Sequence, residues 1–217
     1  VGCSDEQANL MGCNADSKNS KECPVPKVTQ KKGGAKTSES KVSELVNDSV
    51  SYLYELSLIR GHLWVGRELA LAGHRELAIM HSKHPKDEIY STLVDVFMAK
   101  GSKGFAQELE EFSEFVEEGS DVQIDNAYSK VVDSIHGNHR EIVLEVKDLL
   151  SLIIRLTNQA AREYAVGIID ERVDNVHEYQ DAGGFTEIAI HWMKFYEGKD
   201  EINDIEKSAI IRVRKKL

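Results

Sequence analysis

The sequence predicts an all-α protein: an antiparallel helical bundle over residues 40–217, preceded by a disordered N-terminal tether over residues 1–39. Three observations carry that reading. From Ser40 onward the apolar residues recur at intervals of three and four, with Val42, Leu45, Val46, Leu53, Leu56, Leu63, Ala70 and Leu77 tracing one stripe and Val143, Val146, Leu149, Leu150, Ile153 and Leu156 another. The same stretch contains one proline, Pro85, so little in it forbids helix. Glycines at 101, 104, 119, 137 and 198 fall between the periodic segments, where helices stop.

The first forty residues are of another kind. Asp16 to Lys41 is rich in Ser, Lys, Gly, Asn and Thr and includes Pro24 and Pro26, so it cannot bury enough apolar surface to fold alone. All three cysteines, Cys3, Cys13 and Cys23, lie in this region. The opening Val1-Gly2-Cys3-Ser4 matches the way a lipoprotein signal peptide runs into its acylated cysteine, and a lipid on Cys3 would supply a membrane anchor that no apolar run in the chain provides. Cys3 as an ordinary cysteine is the alternative. With Cys3 lipidated, Cys13 and Cys23 remain as an even pair that an oxidising compartment could close into a loop.

The periodicity then predicts a first helix over 40–82, very long or broken at a glycine, followed by helices at 86–99, 103–118, 121–136, 139–169, 175–197 and 200–214, with Asp121 placed to cap the fourth. The first helix is apolar around most of its circumference, which marks it as central. Heptad spacing places Arg60, Arg67, His74 and His81 on one line of it and Glu55, His62, Leu69 and Glu76 on another. Buried arginines on such a line are expected to pair with acids of a neighbouring helix. Gly66 and Gly73 beside the second line leave room for another backbone or for something bound.

Charge narrows the function. With 37 acids against 27 bases the net charge is −10, which argues against nucleic-acid binding and permits a role in handling cations. Nucleophilic catalysis has little support: there is no Gly-x-Ser-x-Gly, no phosphate-binding glycine loop and no clear strand to carry one. The acids Glu108, Glu110, Glu111, Glu114, Glu117 and Glu118 alternate with Phe105, Leu109, Phe112 and Val116 as a solvated face backed by core.

The histidines are the better signal. Two pairs share one spacing, His81-x-x-His84 and His136-x-x-His139, each followed by an acid, Glu88 in the first case and Glu141 in the second. Imidazoles three apart project from one side of a helical turn and can chelate an ion with a carboxylate completing the set. Such histidines near a helix C-terminus also suit the helix dipole without any metal. His177, Asp181 and His191 can share a face of the penultimate helix as a further set. No histidine has a glutamate three before it, so carboxylate-rich di-iron chemistry is not expected.

Two stretches resemble a known family. Glu163-Tyr164, Gly167, Asp170, Val173, Asn175, Glu178-Tyr179-Gln180-Asp181 and Gly184-Phe185 resemble the helix-turn-helix pattern of the periplasmic helical domains associated with bacterial high-affinity iron permeases. Gly61-His62-Leu63, Gly66, Gly73, His81-x-x-His84-Pro85, Glu88 and Tyr90 are similar to the same kind of protein. Glu171 stands where the pattern has glycine, and no Arg-Glu-x-x-Glu membrane helix is present, so transport is not implied. The resemblance implies a cell-envelope helical domain that meets iron or another transition metal.

The expected protein is therefore a lipid-anchored periplasmic lipoprotein binding a transition-metal ion, iron or copper, through His62, His81, His84, Glu88, His136 and His139, with Cys3 as the lipid attachment. Binding rather than turnover is the expected activity, with the metal ion, the membrane and a membrane protein as partners. The alternative is a structural or adaptor lipoprotein docked on a membrane partner without metal.

Overall fold

The computed structural model describes residues 38–197, and these are helical almost throughout. The expectations for the tether, for Cys3, Cys13 and Cys23, and for a helix at 200–214 fall outside those residues. The helices are α1 (Ser38–Asn47), α2 (Ser49–Leu71), α3 (Arg75–Pro85), α4 (Ser91–Lys100), α5 (Ala106–Glu118), α6 (Asp121–Gly137), α7 (Val146–Gly167) and α8 (Val176–Glu197).

The expected first helix is cut twice. Asp48 takes an extended conformation and caps α2, accepting from the Val50 N–H at 2.9 Å and from the Ser51 hydroxyl at 2.6 Å. The second cut is the turn at Ala72–Gly73, where Gly73 adopts φ +85°, a left-handed conformation open to glycine at little cost. This reversal dissolves the heptad lines, because α3 folds back along α2 instead of extending it. Gly66 permits the close return: a Cβ there would lie 3.3 Å from the Ala78 carbonyl oxygen.

Pro85 ends α3 and is followed by one π-helical turn, Lys86–Tyr90, before α4 begins. A proline offers no N–H to the carbonyl four residues back, that of His81, and its ring crowds it; the slip in register follows. Ser120, rather than Asp121, caps α6: its N–H and hydroxyl both donate to the Gln123 side-chain oxygen, at 3.0 and 2.9 Å. The helix expected from 139 starts only at Val146, after a run containing the β-branched pair Ile142-Val143, in which Val143 is exposed. Between α7 and α8 lies a two-residue antiparallel ladder that sequence periodicity did not show, Ile168–Ile169 with Arg172–Val173, closed by Asp170 and Glu171 in left-handed conformations.

Apolar residues of α2 face two cores. Tyr52, Leu56, Ile59 and Leu63 pack with residues of α3 to α6, including Leu93, Phe97, Phe112 and Ile135. Leu53 packs with Leu152, Ile153 and Leu156 of α7 and Ile188, Ala189 and Trp192 of α8. That is why the helix is apolar on most sides. The acids of α5 lie outward, and Glu110, Glu111 and Glu117 meet Lys86, Lys130 and Lys83 in exposed pairs, each adding little to stability.

The α2–α8 contact positions the functional residues. The helices touch backbone to backbone at Gly61 and Gly184, where a Cβ on Gly184 would lie 2.6 Å from the Gly61 carbonyl oxygen and one on Gly61 would lie 2.7 Å from Phe185. One residue beyond Gly61 on α2 is His62; three residues before Gly184 on α8 is Asp181.

Candidate metal centre

Four imidazoles from α2, α3 and α8 gather around one buried carboxylate. His62 Nδ1 and His81 Nδ1 lie 2.7 and 3.0 Å from Asp181 Oδ1, and His177 Nε2 lies 3.3 Å from Asp181 Oδ2. His84 Nδ1 stands 3.1 Å from His177 Nε2. His62, His81 and Asp181 are buried; His84 and His177 are half-buried. The rings of His81 and His177 stack with centroids 4.3 Å apart, and those of His84 and His177 at 5.0 Å.

Outer partners fix which ring atom faces inward. His81 Nε2 meets the Gln180 side-chain oxygen at 2.9 Å, so in the neutral ring a proton on that nitrogen leaves the Nδ1 lone pair toward Asp181. His84 Nε2 meets Glu88 Oε2 at 2.7 Å, with the same consequence for its Nδ1. An imidazole held by a carboxylate or amide oxygen on its far side is the arrangement that orients metal-ligating histidines. The inner atoms lack such satisfaction. Despite the short contacts, His62 Nδ1, His81 Nδ1 and Asp181 Oδ1 make no hydrogen bond of acceptable direction, although all three are fully buried.

The spacings suit a cation. These three donor atoms all lie within 4.8 Å of one another. Bonds of about 2.1 Å to a shared ion would set neighbouring ligand atoms roughly 3.0 Å apart in an octahedron and about 3.4 Å in a tetrahedron. The group can hold a metal ion, and its imidazole–carboxylate donors favour a transition metal over calcium or magnesium. Burial opposes ionisation of Asp181, but with no ion bound the His62 and His81 imidazoles, as donors and as positive charges when protonated, outweigh it and lower the carboxyl below its usual range. Burial likewise pushes His177 down, opposed by Asp181.

Beside this cluster a groove of about 620 Å³ runs between α2, α7 and α8, lined by Trp64, Val65, Leu69, Tyr164, Tyr179 and Gln180. Gln180 is thus both wall of the groove and partner of His81. Glu163 on α7 is pushed up to about 7 by burial and then by its hydrogen bond to Glu178.

Of the residues expected as ligands, the structure brings together His62, His81 and His84, with exposed Glu88 behind His84. It adds His177 and Asp181, which the four-residue spacing on α8 had made visible as a separate set. It places His136 and His139 elsewhere, with His191, around Arg60. Arg60 donates toward His136 Nε2 at 3.3 Å and His191 Nδ1 at 3.5 Å, where acids had been expected, whereas Arg67 does meet an acid, Asp125, at 2.7 Å. Burial first, then the charge of Arg60, depresses His136 and takes His191 to about 4; burial and the neighbouring His136 and Arg60 take His139 to about 4. A guanidinium at the centre of these imidazoles opposes a second cation.

No protein-family model, characterised protein or solved structure matches this chain. No described helix is long and apolar enough to cross a membrane.

Proposed function

We propose that this protein is a metal-binding protein of the cell envelope, holding a divalent transition-metal ion through His62, His81 and Asp181. The observation that carries the reading is the buried trio itself: two imidazole Nδ1 atoms and a carboxylate oxygen face one another at 2.7 and 3.0 Å with no properly directed hydrogen bond between them. A ligand that accepts all three lone pairs at once resolves that arrangement, and a cation does so. His81 is held for the task by Gln180. Imidazole-rich ligation suits copper, zinc and nickel equally well, and the choice of iron rests on the resemblance to the iron-permease-associated domains alone. The envelope location and a lipid on Cys3 rest on the Val1-Gly2-Cys3-Ser4 run and that resemblance.

The test is calorimetric titration of the dialysed protein with cupric, zinc, nickel and ferrous ions at neutral pH, beside a His62→Ala/His81→Ala variant of verified helicity. Saturable binding at micromolar concentration or tighter, lost in the variant, is the expected result. Equal binding by both proteins, or none by either, would overturn the reading and leave an adaptor bundle with a buried His–Asp network.

A further inference from the structure

The second histidine cluster borders a cavity of about 400 Å³ between α2, α8, the end of α6 and the segment that follows it. That volume falls in the range of small-molecule sites. His136, His139, Arg140 and His191 supply the polar lining, and among the described residues no acid lines the cavity. Buried Leu53 and Trp192 and exposed Val143 and Phe195 supply apolar wall.

Arg60 fixes what two of these histidines offer. A guanidinium only donates, so His136 Nε2, at 3.3 Å, and His191 Nδ1, at 3.5 Å, accept from it. In the neutral rings the proton then sits on His136 Nδ1 and His191 Nε2, which become donors. Burial and Arg60 together keep both rings neutral at pH 7. An N–H polarised from behind by a guanidinium is a stronger donor than an isolated one. Arg60 itself lacks a countercharge: its buried Nε has no hydrogen-bond partner, and no described carboxylate forms an ion pair with it. The Tyr128 hydroxyl is its other polar neighbour, while Glu187 and Asp133 reach the cluster through their charge alone. A desolvated guanidinium without a carboxylate is costly, and an anion held one imidazole away offsets part of that cost.

We propose that this cavity binds a small organic carboxylate, its anionic head on His136, His191 and Arg140 and its apolar body against Leu53 and Trp192. The site is separate from the metal centre and does not depend on it. Donors and positive charge without an acid in the lining select an anion over a cation or a neutral donor. The apolar wall selects an anion that carries a ring or a short chain over a bare inorganic one.

The experiment is calorimetric titration of the metal-free full chain at pH 7 with three probes: naphthoate, its uncharged counterpart naphthamide, and inorganic phosphate. Nuclear magnetic resonance of the two tryptophan indole N–H groups locates the binding. Naphthoate is expected to bind once per chain with a dissociation constant below about 1 mM, and the amide and phosphate each at least about ten-fold more weakly. The Trp192 resonance should shift, while that of Trp64, which lines the other groove, stays in place. Arg140 is exposed, so Arg140→Gln should keep the helicity of wild type and weaken naphthoate about ten-fold. Amide binding as tight as naphthoate would remove the role of charge, and phosphate binding as tight would remove that of the apolar wall; either overturns the proposal. So would no saturable binding of naphthoate, a shift at Trp64 instead of Trp192, or unchanged affinity in Arg140→Gln.

Discussion

Two clusters of histidine occupy this bundle, each built around a His-x-x-His of identical spacing, and they have opposite chemistry. At the first, His62, His81, His84 and His177 surround a carboxylate, Asp181; at the second, His136, His139 and His191 surround a guanidinium, Arg60. A buried anion among imidazoles attracts a cation and makes their lone pairs into ligands. A buried cation among imidazoles uses those lone pairs as hydrogen-bond acceptors and keeps the rings neutral. The spacing of histidines says that a turn can chelate; the charge at the centre, supplied by a distant helix, sets whether a cation is favoured there.

The sharpest way to break this comparison is to neutralise each centre. Asp181→Asn is expected to weaken metal binding at least about 100-fold, the upper end of what loss of even an outer partner costs, while Arg60→Met leaves it within about two-fold because the clusters share no group. Equal losses in the two variants by calorimetry would erase the distinction.

The next effect concerns how the first centre is assembled. Gly184→Ala puts a methyl into the Gly61 carbonyl at 2.6 Å, whereas at Gly183 nothing lies within 4 Å. Gly184→Ala should cost about 1–3 kcal/mol in urea denaturation and lower metal affinity with it. Gly183→Ala should be neutral or slightly stabilising, since alanine favours helix over glycine by up to about 1 kcal/mol.

Acid should act on the second cluster. A histidine whose folded pKa is depressed contributes stability that is present above its unfolded value near 6.5 and is lost as pH falls toward the folded value, here about 4 for His139 and His191. Metal-free protein should therefore lose on the order of 1–2 kcal/mol, after allowing for solvent screening, between pH 6.5 and 4. Glu163 has the opposite sign. Its raised value favours the fold at low pH, and that contribution fades as pH climbs from about 4.5 through about 7. In Arg60→Met the proton resonances of the His136 and His191 rings should titrate at higher pH than in wild type, since one depressing charge is gone.

The smallest effect lies at the α7–α8 turn. Glu171 holds φ 61°, so Glu171→Gly should stabilise the protein by roughly 0.5 kcal/mol in thermal unfolding, relief of the left-handed cost exceeding the extra entropy of glycine.

Much of the fold is legible from local pattern. The three-and-four spacing that gives α5 and α7 their buried Leu109, Phe112, Leu152 and Leu156 faces is enough to mark them as helices. The cut at Asp48 is readable in principle, as an acid three residues before Ser51, but the apolar stripe running through it masks the cap. The reversal at Gly73 matters most to the site: an unbroken helix keeps His62 and His81 nineteen residues apart along one axis, and a hairpin brings both to Asp181. His62, His81 and His84 are visible as candidates by residue type and spacing. His177 and Asp181 announce themselves only as an i, i+4 pair, and nothing local ties them to α3.

By itself the sequence determined the class of fold, the central place of α2 and the residue types available for ligation, because periodicity, capping and composition are short-range properties. Which histidines meet a carboxylate and which meet an arginine was decided by tertiary structure alone. That choice follows from the close passage of α2 against α8 at Gly61 and Gly184 and of α2 against α3 at Gly66, and electrostatic character at a buried point is set by whichever charge the packing brings there.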